Sequence, residues 1–271
     1  MLALGFELPA MALRRAAPSS SPVPFSPLQL APSAMFDPSN MPQLFQDDAG
    51  TTAVTADNQP VGLWRDETVN GVDMIQAVSA ARPSYRTDGT HHWIETDGVD
   101  DALATAASLR VGNPLTMVFG VHLLTTLGTS RVNIAEISRT KNNGISIGPR
   151  ANNDRMQVYS RLSDQGVSAS HVVAPSIWGG HQPHVVTLQT APGNVTVRLD
   201  GVEVMNTSQN LATETIEPHP LRIGLALTGG SIPGAFKLFG LQVWDGTRTQ
   251  PNPSQIDALE QWMADKVGVI I

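Results

Sequence analysis

Residues able to do chemistry fall into three groups in this sequence. Thr187, Gln189, Thr196 and Arg198 occupy alternate positions of two strand-like stretches, His184–Thr190 and Val195–Asp200. Side chains two apart in a strand share a face, so these four form one polar row able to hydrogen-bond hydroxyl groups. Trp178 lies just upstream, in the glycine-rich run SIWGGHQP. An indole there either offers its face to the C–H groups of a sugar ring, making a shallow site with Arg198, or tucks back beneath a sheet. The third group is acidic: Asp97, Asp100 and Asp101 fall within five residues. Asp97 and Asp100 can cap a turn there through their own side-chain oxygens.

Other chemistries lack their residues. His91, His92, His122, His171, His181, His184 and His219 show no HExxH or comparable metal spacing, and no GxSxG marks a serine nucleophile. The absence of cysteine excludes disulfides and thiolate-bound metals. The net charge of −7 is dispersed and no Lys/Arg cluster exists to neutralise phosphates, so nucleic-acid binding is not expected. Nor is membrane insertion, because no window approaches the ~20 apolar residues of a membrane span. The first residues, MLALGFELPAMALRR, place their basic pair after the apolar run and are broken by Glu7 and Pro9, a poor fit to a secretory signal. Asn194-Val195-Thr196 and Asn206-Thr207-Ser208 match the glycosylation sequon, the first inside a tight hairpin.

The elements that must position these groups read as strands. In HVVTLQTAPGNVTVRLDGVEV (184–204), Val186 and Leu188 alternate with Val185 and Thr187, and Val195, Val197 and Leu199 with Thr196 and Arg198. Reversals are written at Ala191-Pro192-Gly193-Asn194 and Asp200-Gly201. Further strands are expected at 115–124, 132–138, 144–147, 156–161, 171–174, 202–205, 221–226 and 236–244. The run LTMVFGVHLL is apolar enough for a central strand covered on both faces. Trp64, in VGLW, and Trp93, in HHWIET, are expected in the core, although an aromatic face can also stack on a sugar. Near the end, Ile256, Leu259, Met263 and Val267 recur at helical spacing between Pro253 and Gly268, with Asn252 or Ser254 as the cap, giving a helix over 253–267. Residues 1–34 form a Pro/Ser-rich extended arm ending in APSSSPVPFSPLQLAPSAM. Its apolar side chains, among them Leu2, Leu4, Phe6, Leu8, Phe25, Leu28 and Leu30, are enough to dock on another subunit, so the arm reads as an assembly anchor. Charged residues at 15%, with Gly 23 and Pro 20, suit many short strands better than long helices.

Two stretches carry family resemblances. The pattern H-x-V-x-L … V-x-V-x-L-D-G-V-x-V resembles the centre of concanavalin A-like (laminin-G-like) domains, over roughly residues 91–246. This resemblance implies an all-β, antiparallel β-sandwich of the jelly-roll kind, here over residues 35–271, whose concave sheet binds carbohydrate. It also implies a structural calcium ion held by Asp97, Asp100 and Asp101, since hard oxygen ligands are what calcium needs. Laminarinase-type glucanases share the sandwich and carry E-x-D-x-x-E. The string Glu95-Thr96-Asp97-Gly98-Val99-Asp100 departs from that pattern at its last acid, so no catalytic residues are assigned and the protein is not expected to be an enzyme.

The string LFQDDAGTTAVTADNQPVGLWRD, followed by ARPSYRTDG and WIETDGVDDAL, resembles a lead-in module of structural proteins of tailed bacteriophages and phage-like particles such as gene transfer agents. The closing ALEQWMADKVGV is similar to their last segment. These resemblances imply a virion protein, a head spike or fibre, decoration or tail-fibre subunit made in the bacterial cytoplasm and displayed on the particle surface. It would be held to other virion proteins by the arm, form a homo-oligomer and adhere to cell-surface polysaccharide. The alternatives are a purely structural subunit and, behind it, a glycan-cleaving enzyme.

Overall fold

Alternation of apolar and polar residues decides the architecture, because each stretch can bury one side only by joining a sheet. The computed structural model describes residues 24–109, 114–124, 132–138, 144–149, 155–161, 168–172, 182–191, 194–207, 218–226 and 232–271. With strands numbered in chain order, one sheet runs β16 (Val202–Thr207), β15 (Asn194–Leu199), β14 (His184–Ala191), β9 (Leu115–Leu123), β20 (Ala235–Trp244), β7 (His92–Asp97), β6 (Ser84–Thr87) and β3 (Gln59–Pro60). In this sheet β1 (Ala34–Phe36) also pairs with β20. The opposite sheet runs β13 (Ser168–Val172), β12 (Met156–Arg161), β11 (Gly144–Pro149), β10 (Ala135–Ser138), β17 (Leu221–Ile223), β8 (Leu103–Thr105), β5 (Met74–Ile75), β4 (Leu63–Trp64) and β2 (Leu44–Phe45). A small ribbon joins β18 (Leu225–Ala226) to β19 (Ile232–Pro233), and every named pairing is antiparallel.

The two sheets close on a core that includes Phe36, Trp64, Ile94, Met117, Phe119, Ile137, Ile147, Val197 and Leu241. A second apolar layer lies outside the first sheet. There α1 (Pro253–Val267) sets Ile256, Leu259, Met263 and Val267 against Trp93, Val118, Val185, Phe239 and Trp244. This explains why β9 is apolar on both sides: Met117 and Phe119 face the core, and Val118 faces the helix. Gly120 makes room for the helix, since a Cβ there would lie 2.3 Å from Val267 Cγ2.

Local sequence sets the ends of these elements. Asn252 accepts from Gln255 N (3.0 Å) and Gln255 Oε1 accepts from Asn252 N (2.8 Å), a reciprocal cap followed by Pro253. Gly268, at φ 79, ends the helix. Between β15 and β16, Asp200 (φ 48) and Gly201 (φ 78) both take positive φ, the conformation of a two-residue hairpin turn. The lead-in segment makes only two-residue strands, and at its end Asp66 joins β1 to the loop before β5 by accepting from Met35 N, Thr68 N and Val72 N.

Trp64 is fully buried and Trp93 nearly so, as expected, and Tyr85 is buried with them. Residues 24–34, expected at the end of an extended arm, are packed instead. Phe25 and Leu30 join the layer beneath the helix, Leu30 O accepts from Trp244 Nε1 (2.9 Å), and Ser33 N donates to Val243 O (2.7 Å). Apolar side chains in a Pro/Ser frame order here because the outer face of β20 offers them a partner. The rest of the arm, residues 1–23, lies outside the described residues.

Candidate functional site

The structure brings the four row residues together. Thr187 sits opposite Arg198 and Gln189 opposite Thr196 on neighbouring strands. The row does not face solvent as the alternation suggested, because its face is the seat of α1. Thr187 is fully buried, and its Oγ1 donates to Glu260 Oε1 at 2.7 Å. Arg198 donates through Nε and Nη2 to the two oxygens of Glu260, both at 2.9 Å, and through Nη2 to Asp257 Oδ1 (2.9 Å) and Gly201 O (2.8 Å). Its hydrogen bond with Glu260 raises the Arg198 pKa further above its ordinary value. The guanidinium is thus committed to holding the helix. Gln189 and Thr196 are half-buried at the margin of this contact. The signal was present in the helix: Glu260 falls between Ile256 and Met263 on the apolar stripe, where a carboxylate requires a cation. Trp178 lies outside the described residues.

The acidic turn forms as one cluster. The ligand oxygens of Asp97, Asp100 and Asp101 lie within 4.8 Å of one another. Two of the carboxylates also build the turn, Asp97 Oδ1 accepting from Val99 N (2.8 Å) and Asp101 Oδ2 from Asp97 N (3.0 Å). Burial, reinforced by the neighbouring charges of Asp97 and Asp100, pushes Asp101 up to about 6. In charge and spacing the cluster fits a hard divalent cation, which would relieve that repulsion. Glu95, the first acid of the glucanase-like string, accepts from Arg86 Nη1 (2.9 Å) and Trp93 Nε1 (2.9 Å), so both its oxygens are engaged.

A face that the sequence reading did not select lies on the opposite sheet. There Ile137, Ile145, Ile147 and Val158 point into the core, which leaves Glu136, Ser146 and Gln157 on the outer side. The register runs crosswise through Ser170, Tyr159, Ser146, Glu136, Arg222 and Ala104 on six neighbouring strands. Ser138 Oγ donates to Glu136 Oε1, and Arg222 Nη1 donates to Ser138 O (2.8 Å). Among the described residues Gln157, 3% exposed, has no hydrogen-bond partner for its Oε1, nor has Asn133, 1% exposed and just before β10, for its Nδ2. Buried polar atoms are nearly always paired, with protein or with ordered water, so these stand out on this face. The clue in the sequence was a carboxylate at the centre of IAEIS, where a strand is otherwise apolar.

These sheets define a β-sandwich domain with one short C-terminal helix. No family model and no curated protein matches the chain. Solved structures do. Domain 4 of AbnA, a GH43 extracellular arabinanase from Geobacillus stearothermophilus in complex with arabinotriose, aligns with TM-score 0.58 at 16% identity, over 85% of this chain and 98% of that one. The botulinum neurotoxin serotype G binding domain aligns with TM-score 0.59 at 10% identity, over 86% of this chain and 51% of that one. Trypanosoma rangeli sialidase in complex with the inhibitor DANA aligns with TM-score 0.51 at 14% identity, over 78% and 34%. The chain therefore spans about half of the neurotoxin binding domain and a third of the sialidase. At these identities the likeness is one of fold.

Proposed function

We propose that the protein is a non-catalytic, glycan-binding β-sandwich displayed on a phage-like particle, where many copies adhere to cell-surface polysaccharide. The observation that carries the binding reading is the outer face of β10–β12 and β17, with Glu136 and Arg222 side by side and Gln157 Oε1 without a hydrogen-bond partner among the described residues. Hydroxyl groups supply both donors and acceptors to such atoms. Support also comes from structures of like fold: the arabinanase domain in complex with arabinotriose, a neurotoxin serotype D domain in complex with N-acetylneuraminic acid, and neurotoxin type C, whose cell entry depends on interaction with two ganglioside molecules. The particle reading rests on the lead-in string 44–66 and the closing helix segment. A single site of roughly millimolar Kd contributes only about 4 kcal/mol, so adhesion would come from multivalency on the particle and from a homo-oligomeric state.

A glycan array, with arabinotriose and N-acetylneuraminic acid among its probes, tests the binding reading. Binding that is lost in Arg222→Met and Gln157→Ala at unchanged folding supports it. An array without hits favours the structural-subunit alternative, and release of sugar products would identify an enzyme. The attachment role is tested by removing residues 1–23 alone, which should leave the sandwich folded and prevent incorporation into particles through other virion proteins.

A further inference from the structure

The last turn of α1 meets the turn that follows β1 through a cluster the glycan reading does not use. Lys266 Nζ donates to Asp37 Oδ2 (2.6 Å) and to Ser39 Oγ (2.7 Å), and it lies 4.8 Å from the Trp262 ring centroid. Asp37, 6% exposed, holds its own turn by accepting at Oδ1 from Ser39 N (2.9 Å). Glu67 comes in beside them, its backbone N–H fixed to Met35 O (2.9 Å) and its Oε1 buried without a hydrogen-bond partner. The charged groups around the Glu67 carboxyl are therefore Asp37 from the turn and Lys266 from the helix; the adjacent Asp66 is turned away onto Met35 N and Val72 N. Lys266 pairs directly with Asp37, and Glu67 stands beside that pair.

We propose that Glu67 is a proton-controlled latch on this seam, closed when its carboxyl is neutral and loosened when it ionises. Neutral, it leaves the Asp37–Lys266 pair balanced. Ionised, it sets a second negative charge in a half-buried position facing Asp37, and relief requires water to enter between the turn and the helix end. Burial first, then the charge of Asp37, pushes Glu67 from its ordinary 4.5 up to about 7, against the opposing pull of Asn40 and Lys266. A raised carboxyl favours the folded state at low pH. Its contribution is complete below about 4.5 and is lost as pH rises through about 7.

Hydrogen exchange on the full-length protein reads the latch directly at Gly268 and Val269, whose amides donate to Ala264 O at the helix end. After correction for intrinsic rates, their protection should fall about threefold between pH 6 and pH 8.5 in the wild type, a discounted share of the roughly tenfold that a midpoint near 7 gives over that window, because Glu67 is partly exposed. It should stay level in Glu67→Gln. An equal fall in Glu67→Gln, or no fall in the wild type, overturns the proposal. A carboxyl-carbon NMR titration serves as the second measurement: a Glu67 midpoint near 7 supports the latch, and one near 4.5 removes it.

Discussion

The two sheets bury their inner faces alike but use their outer faces differently. The first sheet gives its outer face to α1: Val118, Val185 and Trp244 pack under Leu259 and Met263. Of the polar residues left there, Thr187 and Arg198 are paired by Glu260, whereas Gln242, 0% exposed, has neither amide atom hydrogen-bonded among the described residues. The opposite sheet carries an outer row of similar polarity, and there Gln157 Oε1 likewise has no hydrogen-bond partner among the described residues. Polar residues on an outward face are therefore not evidence of a site by themselves. On the first sheet Thr187 and Arg198 are the means by which a helix carrying a buried carboxylate is seated, while on the second Glu136, Ser146 and Gln157 lie on the far side of the sandwich from that helix.

Removing Arg198 should break the first sheet's side of this comparison most severely. Arg198→Met leaves Glu260, 1% exposed, without its cation, and loss of one partner of a buried pair costs about 3 kcal/mol or more. Thermal unfolding should shift down by roughly 6–12 °C. The double variant Arg198→Met/Glu260→Leu should recover much of that. A destabilisation under about 1 kcal/mol for the single variant would mean that the helix is held by apolar contact alone.

Gly120→Val comes next, because its Cβ would meet Val267 Cγ2 at 2.3 Å and Met263 Sδ at 3.0 Å. Overpacking of this kind costs about 1–3 kcal/mol, to be read from denaturant midpoints. The counterpart Ser146→Ala on the opposite sheet should cost about 1 kcal/mol or less.

The smallest effect concerns the turn after β7. Asp101, at about 6, disfavours the folded state as pH rises toward and through that value, so Asp101→Asn should be more stable than wild type above pH 6 without divalent cations, by about 1 kcal/mol. Added calcium should raise the melting temperature of the wild type and not that of Asp101→Asn. Equal responses of the two proteins would leave the turn with its hydrogen-bonding role only.

What could be read from sequence was local. The alternation in 184–204 places β14, the Asp200-Gly201 turn and β15 with their register, and Asn252, Pro253 and Gly268 bound the helix as expected. Which outer face a helix covers is a different kind of information. Arg198 and Glu260 are 62 residues apart, and neither strand pattern nor helix pattern names the other. The two-residue strands of the lead-in segment were hidden because turns and the carboxylate of Asp66, not periodicity, hold them. Phe25 and Leu30 were assigned to the arm because a Pro/Ser frame gives no sign of the surface that orders it.

Gln157→Ala and Gln189→Ala, compared on the same glycan array at equal folded concentration, test most directly the claim that the two outer faces differ in purpose. The two side chains are chemically identical and lie on opposite sheets, one 3% exposed with an unpaired Oε1 and the other half-buried beside the helix. Binding should fall at least about tenfold in Gln157→Ala, the loss of one buried hydrogen bond to ligand, and stay within about twofold of wild type in Gln189→Ala. The reverse order would return the site to the helix-side sheet.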